Sequence, residues 1–116
     1  MASTSFSEPI VARSLLLLIF KTGGPNYEVR PAAAYAALAR ELKISAQEKT
    51  ELIESGGRVE SKWHNRVRWA RNALHKSGFL EDSPRGVWRL SRAGVTEAKR
   101  LIEIAVEFDR TMESLR

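Results

Sequence analysis

Cysteine is absent from all 116 residues, which excludes disulfides, thiolate zinc sites and cysteine nucleophiles and fits a cytoplasmic protein. Histidine is scarce: His64 and His75 stand eleven positions apart with no partner ligand at metal spacing, so no metal site is expected. Long apolar runs are missing as well. The run LLLLIF at residues 15–20 is six residues long, against the roughly 20 that span a bilayer. Arg13 before it imitates a secretion signal, but Glu8 lies upstream, Lys21 closes the run and no small-residue cleavage site stands near Thr22. Neither a membrane span nor a leader is expected. The pairs Gly23-Gly24 and Gly56-Gly57 lack the spacing of phosphate-binding loops. Glu60-x-Lys62 has the form of half a metal-nuclease motif. However, no aspartate precedes Asp82, and the tripeptide opens a helix rather than following a strand that carries a second acid. No catalytic residue, cofactor or metal is therefore assigned, and aromatics, 8% of the chain, form no array suited to single-stranded RNA.

What is present is one modest core and one basic region. With 43% apolar residues, the chain supports a single domain over residues 1–94 and an appended helix over 95–116. The net charge is +5 and it is localised: residues 58–92 hold nine cations and three acids, the rest ten cations and eleven acids. A clustered field of this kind steers a polyanion. Within it, Trp63, Val67, Ala70 and Leu74 fall on one stripe of a helix over residues 61–77. Ser61, Asn65, Arg68 and Asn72 lie opposite, flanked by Lys62, Trp69 and Lys76. Lys76, Ser77 and Gly78 end the helix. Residues 79–80 and 87–90 then read as strands joined by a turn-rich link, giving a wing over residues 79–90. The expected fold is mainly α with a small antiparallel β-hairpin: a winged helix-turn-helix plus a long C-terminal helix.

The elements before and after agree with that layout. A first helix from Ser7 or Pro9 to about Lys21 buries Ile10, Val11, Leu15, Leu18 and Ile19. Residues 27–29 form a short strand able to pair with the wing, and Pro31 opens an alanine-rich second helix read as scaffold. Ser45-x-x-Glu48 is a capping box for a short third helix, with Leu52 and Ile53 as its buried edge and residues 55–57 as its end. Ser91 caps the last helix. Its Ala98, Leu101, Ala105, Phe108, Met112 and Leu115 follow the 3-4 spacing of a coiled-coil seam. The far half of that helix either pairs with a second copy or continues toward another segment.

The string R-V-R-W-A-R at residues 66–71, followed by Leu74, Gly78 and Leu80, then S-P-R-G-V-W-R-L at 83–90 and Ala93-Gly94, resembles the N-terminal domain of Mrr-type restriction endonucleases. The resemblance implies a winged-helix module that sits ahead of a nuclease domain and binds DNA. Family nucleases carry paired acids and a lysine on that separate domain. No such set occurs in these residues, so this chain is not expected to be an enzyme, and a nuclease domain or subunit is an implied partner.

In such a module the amino-terminal half of the recognition helix reaches deepest into the major groove. Ser61, Lys62, Asn65 and Arg68 are then nearest the base edges, with Asn65 suited to adenine and Arg68 to guanine. Arg66, Arg71 and Lys76 serve phosphates, and Arg85 at the wing tip serves the backbone or minor groove. Asn72 shares the outward face; Trp69 either fills the angle between helix and hairpin or stacks on a partner. Trp63 and Trp88 are core. The expected partner is double-stranded DNA. The competing expectation is a protein-interaction or dimerisation module with an incidental basic face, since the fold hosts both uses.

Overall fold

A computed structural model describes residues 8–82 and 86–116. Helix α1 spans Glu8–Thr22. Its Val11, Leu15 and Ile19 are fully buried at i, i+4, i+8, so one stripe faces the core. Ile10 lies off that stripe and is 41% exposed, and Leu16 takes the inward position instead. A turn at Gly23 stops α1. A Cβ there would run into the Ile19 carbonyl and the Glu28 amide, so the close backbone approach requires glycine. Strand β1, Glu28–Val29, follows, and helix α2, Pro31–Glu41, opens on its proline. Ala34, Leu38 and Ala39 form its buried face.

Helix α3, Ala46–Thr50, is capped as expected: the Ser45 hydroxyl accepts from the Glu48 amide at 3.1 Å. The helix ends there, which corrects the sequence reading. Residues 52–53 are not its buried edge. They open strand β2, Leu52–Ser55, which pairs antiparallel with β3, Arg58–Ser61, in the register Leu52↔Ser61, Ile53↔Glu60, Glu54↔Val59. Gly56 and Gly57, with φ of +60° and +79°, make the tight turn between them. One side of this hairpin is open to solvent: Leu52 is 64% exposed and Val59 68%. The other packs on helix α4, Lys62–Lys76. A β-hairpin thus stands where a plain break was expected ahead of the central helix.

The core stripe of α4 is as its periodicity requires, with Trp63, Val67, Ala70 and Leu74 all buried. This face lies across α1 and reaches α2, and the Trp63 indole donates to the Tyr35 carbonyl at 3.0 Å. The wing is a minimal one. Leu80 and Leu90 form a single bridge, and the Glu81 amide donates to the Arg89 carbonyl. Strand β4, Trp88–Arg89, pairs antiparallel with β1, as anticipated for residues 27–29. The wing tip, with Ser83, Pro84 and Arg85, lies outside the described residues.

Helix α5, Arg92–Ser114, starts on a Ser91 cap whose hydroxyl accepts from the Gly94 amide at 3.0 Å. Gly94 and Ala98 are buried, while every residue from Glu103 onward is exposed. The projecting half accounts for a radius of gyration of 15.4 Å, against about 13 Å for a compact chain of this length. The architecture is mainly α with two small antiparallel strand pairs, a winged helix-turn-helix that carries an additional hairpin before its central helix.

Candidate nucleic-acid interface

Ser61 ends β3 and caps α4 at once. Its hydroxyl accepts from the His64 amide at 3.2 Å and donates to the Lys49 carbonyl at 2.9 Å. Expected as a base contact, this side chain is already fully engaged in starting the helix. Because β3 runs directly into α4, Glu60 is brought back over the outward face. One carboxylate oxygen accepts from Asn65 Nδ2 at 2.9 Å and from the Arg68 guanidinium at 2.6 Å. Asn65, expected on the open face, is only 8% exposed. Its position opposite the core stripe is as predicted; what covers it is the unforeseen hairpin.

The remaining expected residues fall into two groups. Lys62 is partly exposed, with Nζ 3.8 Å from Glu51, and Arg68 is one-third exposed in its pair with Glu60. Both have acid partners. Arg66, Arg71 and Lys76 have none within 4.0 Å among the described residues. The Nε atoms of Arg66 and Arg71 are buried without hydrogen-bond partners there, while Arg71 Nη1 donates to Asn72 Oδ1 at 3.0 Å. Trp69 stands out from the helix at 50% exposure. Arg85 lies outside the described residues, and the wing's other arginine is structural. Arg89 binds Glu28 at 2.6 Å and approaches Glu81 at 3.7 Å. The hydrogen bond to Glu28 raises the guanidinium's affinity for its proton above the usual arginine value.

Pro31, Tyr35, Arg68, Trp69, Arg71, Asn72 and Trp88 enclose an open cleft of about 370 Å³ between α4, the start of α2 and β4. The Tyr35 ring meets Trp88 edge to face, centroids 5.8 Å apart, and stacks flat on His64 at 4.0 Å. Burial holds the Tyr35 phenol above its ordinary value of 10.0; Arg68 draws it down and Glu60 pushes it up. Sequence reasoning passed over Tyr35 because the helix around it read as scaffold. Its signal was a lone ring in the run AAAYAA, at residues 32–37.

Among the described residues no group of three or more His, Cys, Asp or Glu side chains is placed to hold a metal ion. No described helix is long and apolar enough to cross a membrane. The family model for the Mrr N-terminal domain matches residues 14–100. No curated protein and no solved structure matches the chain.

Proposed function

The chain belongs to the Mrr N-terminal domain family, and from that premise we propose that it is a DNA-binding module of a restriction system. Helix α4 lies in the major groove and the wing rests on the backbone or minor groove. The observation that carries this reading is the distribution of partners along α4: Arg66, Arg71 and Lys76 have no acid partner among the described residues, and Trp69 stands half exposed between them. Cations without acid partners are available to phosphates at no cost in broken pairs.

Glu60 changes which residues do the reading. With Ser61 spent on the cap and Asn65 covered, the base-reading role moves along the helix to Arg68, Trp69 and Asn72. Arg68 turns to guanine by exchanging the Glu60 carboxylate for the base edge. Lys62, Arg66, Arg71, Lys76 and the wing-tip Arg85 hold phosphates. Five such contacts give log affinity a slope of about −4 to −5 against log salt. A mobility shift on duplex DNA at graded salt tests this, and binding with no salt dependence overturns it. Arg68→Ala is expected to lose ~1–3 kcal/mol and blur base preference, whereas Arg85→Ala weakens all sequences alike. The nuclease chemistry that such a module directs belongs to a separate domain or subunit.

One observation favours a second use alongside the first. The far half of α5 leaves Ile104, Phe108, Met112 and Leu115 exposed, and the 3-4 spacing through Ala105, Phe108 and Met112 suits pairing with the same helix of a second copy.

A further inference from the structure

We infer that the cleft between α4, α2 and β4 seats a single nucleobase swung out of its stack, an inference that rests on the duplex-binding reading of the same face. The volume of about 370 Å³ falls within the roughly 300–1,000 Å³ of small-ligand pockets. Its walls are of the kind that hold a flat ring. Trp69 is half exposed at the cleft, and Tyr35 and Trp88 stand at 88° to one another. The Trp69 ring is therefore the surface open to an incoming heterocycle, with Tyr35, one face of which is taken by His64, and the buried Trp88 completing the lining.

The polar groups narrow the chemistry. None of the lining residues is acidic. Arg68, one helical turn before Asn72, brings a one-third-exposed guanidinium to the lining. Arg71 Nη1 holds Asn72 Oδ1, which leaves the Asn72 NH₂ to donate outward. A ligand with carbonyl or ring-nitrogen acceptors on a planar aromatic frame satisfies both donors, and a nucleobase is such a group. The acceptor-rich edge of a purine matches an arginine and an asparagine side by side. Arg66 and Lys76, on the same helix and without acid partners, serve the phosphates flanking the displaced nucleotide.

The test compares the full-length chain on a fully paired duplex with the same duplex carrying one unpaired purine, with a free purine nucleoside monophosphate as competitor. The bulged duplex is expected to bind at least tenfold more tightly than the paired one. In Trp69→Ala the ratio falls to between one and two, and in Trp69→Phe, which keeps a ring, most of it returns. Circular dichroism confirms that each variant is folded. Equal binding of paired and bulged duplex by the parent overturns the base seat and leaves duplex binding standing; binding of neither overturns both. A tenfold preference that survives Trp69→Ala overturns the seat, because the base then lodges elsewhere. Competition by the free nucleotide at the concentrations of the bulged duplex overturns a strand-borne base in favour of a free nucleotide as the occupant.

Discussion

Replacing Glu60 by Gln sets the stability of the module against the DNA affinity proposed for it, and the geometry gives the sign of each. The carboxylate accepts from Asn65 at 2.9 Å and from Arg68 at 2.6 Å, with the Glu60 side chain 14% and the Arg68 side chain 34% exposed. Truncating one partner of a fully buried pair costs about 3–5 kcal/mol. Here Arg68 is exposed enough to reach water and Gln keeps an amide oxygen for Asn65, so the loss is about 1–2 kcal/mol. Binding moves the opposite way. A carboxylate about 8 Å from a phosphate repels it by roughly 0.5 kcal/mol in water and about 2 kcal/mol at an effective dielectric of 20. Glu60→Gln removes that repulsion and releases Arg68, so affinity for duplex DNA is expected to rise by roughly 2- to 30-fold at low salt. The slope against log salt also steepens by up to about one unit. Thermal denaturation reads the first effect and fluorescence anisotropy of a labelled duplex at several salt concentrations reads the second. A folded variant that binds no more tightly than the parent would refute the role given to Glu60 as the acid closing the reading face.

Gly94→Ala places a Cβ against the Phe79 carbonyl, which also accepts from the Ser91 amide. Alanine gains about 1 kcal/mol of helix propensity there, while overpacking against backbone costs about 1–3 kcal/mol; a net loss in urea denaturation is expected, and a more stable variant would contradict this packing. Tyr35, whose phenol is held above 10.0 chiefly by burial, favours the neutral form in the folded state. Its contribution to stability is therefore complete below pH 10 and is lost as pH rises through the folded value. Denaturation midpoints of Tyr35→Phe should improve relative to the parent between pH 9 and about pH 11; parallel curves would count against a raised value. Phe108→Glu with Met112→Glu should abolish self-association through α5 while leaving helicity unchanged. Analytical ultracentrifugation checks this, and a parent chain that is monomeric at all concentrations removes the second copy as partner.

Much of the scaffold is legible because each helix start is written in local chemistry. Ser45, Ser61 and Ser91 all stand at N-caps and each side chain accepts the amide three residues on. Pro31 opens α2, and the i, i+4, i+7, i+11 stripe from Trp63 to Leu74 is the face that packs. The hairpin β2–β3 escaped for two reasons. Its strands are four residues each, and Leu52-Ile53 directly after a capped helix continues an apolar edge that belongs as well to a helix as to a strand. The signal was the Gly56-Gly57 pair between I-E-S and R-V-E, a two-residue link whose positive φ angles favour hairpins. The clasp of Glu60 on Asn65 and Arg68 follows from that hairpin, and the cleft requires Pro31, Tyr35 and Trp88, residues distant in the chain from α4. Tertiary placement decides both, which is why the outward direction of Asn65 was readable and its burial was not.

The root of α5 has a mechanical corollary. Gly94 sits against the carbonyl of Phe79, at the base of the wing, and from there to Ser114 the helix extends roughly 30 Å with no lateral support beyond Ile102. It is a lever whose fulcrum touches the base of the wing: a tilt of about 10° at the pivot carries the tip through about 5 Å, so a small adjustment of the wing becomes a much larger displacement of the far end of the helix.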